Sequence, residues 1–127
     1  MDVSFILEDL NEAQREAVTS ESKKLLVLAG AGSGKTKVLV HRIAWLIKAM
    51  SSSTHSILAV TFTNKAANEM TGRIEHILDQ PIPEMWCGTF HSISNRILRR
   101  HCEEAGLEKE FAILDSDDQL RIIKRIL

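Results

Sequence analysis

Apolar positions along the chain fall into short unbroken runs and into longer stretches where they recur every three or four residues, and the two kinds alternate. The runs are Leu25, Leu26, Val27 and Leu28, then residues 56–62 (Ser-Ile-Leu-Ala-Val-Thr-Phe), then residues 85–91 (Met-Trp-Cys-Gly-Thr-Phe-His). Each has the length and composition of a buried strand. Between them, Leu39, Ile43, Leu46, Ile47 and Met50 share one helix face, with Trp45 and Lys48 off that stripe. Ala67, Met70, Ile74, Ile77 and Leu78 mark a second helix face. Strand, helix, strand, helix, strand, with helices long enough to cross a sheet, predicts an α/β fold on a parallel sheet. Ligands of such sheets gather at the carboxyl ends of the strands. The turn after residue 28, residues 61–65 and residues 88–91 then share one rim.

The flanks read as helical. Asn11 precedes the helical pattern of residues 12–18 and has Gln14 three positions later, the spacing of a capping box. A capping Gln14 satisfies a backbone donor; alternatively its amide could both donate to and accept from an adenine edge. Spacing by itself favours the cap. Beyond His91, Ile93, Ile97 and Leu98 with Arg96, Arg99 and Arg100 make a basic amphipathic helix, and Leu120, Ile123, Ile126 and Leu127 make another. Residues 111–115 imitate an apolar strand ending in a magnesium-binding aspartate. The acidic run 115–118 leads straight into a helical pattern, however, and this favours Asp115 as a helix cap. The sequence stops in mid-pattern with no helix-ending residue, so the expectation is a piece of a longer protein.

Composition narrows the class without naming it. With 127 residues, 44% of them hydrophobic, and a formal net charge of −1, the chain can build an ordinary core and does not announce a polyanion partner through bulk charge. Residues 51–54 and 80–84 read as loops within a domain. Cys87 and Cys102 make no disulfide framework, and no signal peptide or membrane-length apolar run is present, which predicts a soluble, reduced, cytoplasmic protein. Cys87, His91, His101 and Cys102 lack the compact Cys-x-x-Cys spacing of structural zinc sites. A buried thiol and partly exposed histidines are the ordinary reading.

The chemistry concentrates in Ala29, Gly30, Ala31, Gly32, Ser33, Gly34, Lys35 and Thr36, a glycine-rich octet between an apolar strand and a helix. That context makes it a phosphate cradle of the P-loop type. Glycines allow turns that aim successive N–H groups at one anion, and the helix start adds its own unpaired N–H groups. Lys35 reaches the terminal phosphates, and the Thr36 hydroxyl is placed to ligate the accompanying Mg2+. Ala29 stands where the strict pattern has glycine. On the same rim, Phe62 and Phe90 are either core or faces on which a base can stack. The arginines from 96 to 100 either bind phosphates or solvate a helix face.

Four motifs in order and spacing carry a resemblance: residues 10–18 (LNEAQREAV), the octet ending in Lys35 and Thr36, residues 60–67 (VTFTNKAA) and residues 88–91 (GTFH). Together they resemble the opening of the UvrD/Rep/PcrA helicases of superfamily 1. The likeness extends through Ile113, Leu114, Asp115 and Ser116. It implies an ATP- and Mg2+-dependent motor that moves 3′ to 5′ on single-stranded DNA. It also implies unwinding of 3′-tailed duplexes in mismatch and nucleotide excision repair, with repair proteins as partners. The glutamine matching Gln14 reads the adenine in that family, which reverses the preference for the cap. Lys35 and Thr36 hold the phosphates and magnesium, with Arg73 near the nucleotide as well. Lys37 takes a position commonly occupied by an arginine that packs on the nucleotide, and it lacks the planar guanidinium. Thr61, Phe62, Asn64 and Lys65, and Thr89, Phe90 and His91, contact the DNA strand.

By family architecture, residues 1–90 are the N-terminal part of a first RecA-like domain and residues 91–127 begin an inserted helical domain, to which Asp115 belongs. The family's acidic motif and second RecA-like domain lie beyond Leu127, so this chain is expected to be inactive alone. Two other classes remain. A small P-loop kinase calls for a phosphate acceptor and a lid, and a non-enzymatic binding module should be indifferent to Lys35.

Overall fold

A computed structural model of the protein describes residues 2–32 and 34–127. The chain divides into two compact units, one running to Ile93 and one from Ser94 to Leu127.

In the first unit, helix α1 (Glu12–Thr19) starts where Asn11 caps it, and α2 (Lys35–Lys48) follows the glycine-rich octet. Strand β1 (Leu58–Thr61), helix α3 (Asn64–Leu78) and strand β2 (Trp86–Thr89) come next, and helix α4 (Phe90–Arg100) leaves the unit. The two strands pair in parallel, Leu58 with Trp86 through to Thr61 with Thr89, and α3 makes the crossover a parallel pair requires. Thr63 sets the start of α3 by accepting the Ala66 N–H at 3.0 Å. Asp79, left-handed at φ 51°, ends it. The apolar face of α3 packs on both strands and on α2, and Val40, Ile43, Ala44, Met70, Ile74 and Leu78 share one core with Ile6, Ala59, Ile82 and Met85. A smaller cluster of Leu10, Val18 and Val38 joins α1 to α2, and Trp45 packs against both clusters.

Polar side chains tie this unit together across long sequence distances. The Arg42 guanidinium donates to the carbonyls of Ala17 (2.9 Å), Val18 (3.3 Å) and Ser20 (3.1 Å), supplying partners at the C-terminal end of α1. Buried His41 approaches the Ile6 carbonyl through Nδ1 at 2.6 Å; since a carbonyl only accepts, that nitrogen is the one that carries hydrogen. We expect Arg42→Met to destabilise the unit by about 2 kcal/mol, as charge-assisted hydrogen bonds to part-buried carbonyls are lost. A fall in denaturant midpoint at unchanged slope would register this.

Several expectations from sequence are corrected. Residues 25–28 form no strand, so the sheet among the described residues has two strands rather than three. Their relative exposures alternate, 43, 80, 43 and 85%, with the period of two of an extended segment. Apolar composition fits a run for burial, but a strand also needs a ladder partner, and β1 and β2 pair only with each other. The buried face of α2 is turned from the expected stripe: Val38, Val40, His41 and Ala44 are buried beside Ile43, while Leu39 and Met50 are exposed. The cause is that α2 packs on α1 and α3, a choice of neighbours that periodicity does not specify. Strand β2 stops at Thr89, so Phe90 and His91 open α4 instead of ending a strand.

In the second unit, α5 (Ser116–Ile126) starts at Asp115, whose carboxylate accepts the Asp118 N–H at 2.8 Å in a reciprocal capping box. Residues 111–114 form no strand, so the capping reading of Asp115 holds. Arg99 lies 3.9 Å from the centroid of the Phe111 ring, a cation–π contact that anchors the loop between α4 and α5.

Candidate functional site

Two glycines of the octet carry its turns. Gly32 (φ +78°) and Gly34 (φ +82°) occupy the left-handed region, which strains residues bearing a side chain. A Cβ built on Gly30 or Gly32 meets nothing within 4 Å, so that side of the loop is open. Gly34 is the N-cap of α2 and offers no side chain, so α2 opens without the side-chain cap that α1, α3 and α5 have. Uncapped first-turn N–H groups are the donors an anion takes. Lys35 and Thr36 are exposed in that first turn, with Ala31 exposed and Ala29 half-buried just upstream. Ser33 lies outside the described residues. An open glycine turn, an ammonium and a hard hydroxyl oxygen fit a magnesium-bound polyphosphate.

Gln14 serves the cap. Its Oε1 accepts the Asn11 N–H at 3.0 Å while its own N–H reaches Asn11 Oδ1 at 2.8 Å, completing the capping box. The other end of the amide, Nε2, lies 3.1 Å from where a Cβ on Gly34 would stand. The cap therefore aims the donor half of the amide at the phosphate loop.

An open cleft of about 620 Å³ brings together Lys37 and Arg73 with Phe5, Asp9, Glu69 and Ile77. The Lys37 ammonium donates to the Asp9 carbonyl at 2.8 Å, holding the segment before α1 against α2.

The carboxyl ends of the strands form the second part of the site. Because Thr61 and Thr89 pair in register, the residues that follow them, Phe62 and Phe90, emerge side by side. Their ring centroids are 5.7 Å apart at an interplanar angle of 49°, within the range of an attractive aromatic pair. Neither ring is core: Phe62 is 88% and Phe90 56% exposed. Asn64 and Lys65, which open α3, and His91 in α4 are exposed around them; Thr61 is half-buried and Thr89 buried.

Sequence reasoning missed what fixes this tip. Thr89 Oγ1 accepts the Ser92 N–H at 3.1 Å, and Ser92 Oγ accepts the Thr89 N–H at 2.9 Å, a capping box built from two hydroxyls. A threonine and a serine three apart were the available signal, and reading residues 85–91 as strand concealed it. No group of three or more potential metal ligands occurs among the described residues. Among the same residues, no helix is long and apolar enough to cross a membrane.

Comparison with known proteins gives this geometry a family. Residues 10–127 match the UvrD/REP helicase N-terminal domain. The chain is 57% identical to DNA helicase II of Escherichia coli K12 over 127 residues, covering all of this chain and 18% of that protein. It is 56% identical to DNA helicase II of Haemophilus influenzae over 131 aligned residues, again 18% of that protein. Identity to the ATP-dependent DNA helicase PcrA of Bacillus subtilis is 51% over 122 residues, 96% of this chain and 16% of that one. The chain therefore belongs to the UvrD/REP helicase N-terminal domain family. It spans less than a fifth of the length of the curated relatives it matches.

Proposed function

We propose that this chain is the nucleotide-cradling and strand-gripping opening of an ATP-dependent DNA helicase, and that the longer protein moves 3′ to 5′ along single-stranded DNA. In this reading residues 1–90 are the N-terminal part of a RecA-like domain and residues 91–127 begin a helical insert. The observation that carries the proposal is the pairing, in one unit, of an uncapped glycine-led helix start with two exposed aromatic rings at neighbouring strand ends. A kinase has no use for the aromatic pair. A passive binding module has no use for the cradle.

In the proposed mechanism the N–H groups at the start of α2 and the Lys35 ammonium would hold the phosphates of the nucleotide, and Thr36 Oγ1 would hold Mg2+, whose chemistry there would be to neutralise phosphate charge. Gln14 reads the base. Lys37 and Arg73, which line one cleft, flank the nucleotide. Thr61, Phe62, Asn64, Lys65, Thr89, Phe90 and His91 face the DNA strand, the phenylalanines by stacking and the polar residues through phosphate or sugar. In this reading the longer protein is cytoplasmic and acts on single-stranded and 3′-tailed DNA, with mismatch and excision repair proteins as partners.

Phosphoryl transfer needs an acidic magnesium ligand and charge stabilisation from further parts, so the 127-residue chain alone is expected to show no ATP turnover. The longer protein is expected to hydrolyse ATP faster when single-stranded DNA is added. Stimulation by a small phosphate acceptor would favour a kinase instead, and absence of hydrolysis would favour a binding module.

A further inference from the structure

We propose that Ser92 is a positioning residue for the DNA strand: its hydroxyl locks the turn after β2 and so holds Phe90 beside Phe62. The inference rests on reading the strand tips as the DNA-binding face.

Ser92 Oγ stands at the centre of the turn. It accepts from the Thr89 N–H at 2.9 Å, lies 3.1 Å from Thr89 Oγ1 and donates to the Thr89 carbonyl at 3.1 Å. Thr89 is the last residue of β2 and is 9% exposed, so these bonds join a buried strand end to the first turn of α4. Phe90 sits inside that loop of bonds, and its backbone direction is set from both sides. Gly88 makes the arrangement possible, since a Cβ there would meet Ser92 Oγ at 2.5 Å. The hydroxyl occupies the space a side chain at 88 would fill. Phe62 lies directly before Thr63, whose hydroxyl caps α3, so each ring sits beside its own helix cap. On the Phe90 side Ser92 acts on the DNA strand through Phe90 without touching it.

A cap of ordinary strength favours its turn about fivefold over the alternatives, and the apparent affinity of a site falls with the fraction of molecules in the competent state. The test is single-stranded DNA affinity of the longer protein, measured for Ser92→Ala, Phe90→Ala and the double variant, with Ser92→Thr as the hydroxyl-retaining control. Nucleotide binding without DNA serves as the check on folding. Ser92→Ala is expected to weaken DNA about fivefold in the parent background, less than twofold when Phe90 is already alanine, and Ser92→Thr to restore affinity. Gly88→Ala, which displaces the hydroxyl from the other side, is expected to reproduce the loss and to add little to Ser92→Ala. Equal effects of Ser92→Ala with and without the ring, or none in either, would overturn the positioning role and leave the DNA-binding face intact. If Phe90→Ala leaves DNA affinity unchanged, the face itself is misassigned and the role of Ser92 falls with it.

Discussion

Lys35→Ala in the longer protein is expected to lower ATP turnover by about two to three orders of magnitude, the usual effect of removing one preorganised donor from a developing negative charge. The expectation follows from where the residue sits. Lys35 is the first residue of α2, directly after a glycine in the left-handed region, and its side chain is exposed. Truncating it removes a charge from the open side of the loop and leaves the core of Val40, Ile43 and Ala44 in place. Alanine is also the best helix former, so stability should change by no more than about 0.5 kcal/mol. Lys35→Arg is expected to rescue poorly, because a planar fork does not replace a compact ammonium beside a crowded phosphate. Steady-state hydrolysis paired with a thermal melt separates the two effects. Undiminished turnover in Lys35→Ala would remove the phosphate-binding role from the loop.

That loop could be located from sequence because its requirements are local. Glycines at fixed offsets, a lysine, a hydroxyl and an amphipathic helix suffice, and the backbone at Gly32 and Gly34 has the left-handed turns they predict. The Asn11 and Asp115 caps were legible for the same reason, since donor and acceptor lie three residues apart. Helix α3 was legible because its stripe of Ala67, Met70, Ile74 and Leu78 is the face it buries. Pairwise choices among distant elements were not legible. Residues 25–28 have the composition of a strand, yet composition does not supply the neighbour that makes the ladder. The turned face of α2 has the same origin, for Leu39 and Val40 are equally apolar and only the packing partners distinguish them. The helical pattern offers no partner for Arg42 or His41. Their roles depend on carbonyls at least 22 residues away. At the strand tips the motif GTFH marked the place, but the strand-to-helix change at Phe90 placed the ring differently from the expected strand end.

The exposed pair at those tips leads to the second large effect. Replacing both Phe62 and Phe90 with alanine in the longer protein is expected to weaken single-stranded DNA binding by about 2 to 6 kcal/mol, twice the usual stacking contribution per base. Two rings that are 88% and 56% exposed have little core burial to lose, so the folded state should tolerate the change. The tilt of 49° and centroid separation of 5.7 Å argue that the rings do not stack on one another, which leaves a face of each for a base. Each ring supports the other's orientation through the registered ends of β1 and β2, so the single losses should not sum to the double loss. Basal nucleotide binding should be preserved, because the phosphate loop is a separate segment of the unit. DNA-stimulated hydrolysis should fall with DNA affinity and return at high DNA concentration, which marks lost strand binding as the cause. Phe62→Trp, keeping a broad π face, should retain binding that Phe62→Leu loses despite similar hydrophobicity. If leucine serves as well as tryptophan at this position, the rings act as apolar surface and do not stack on bases.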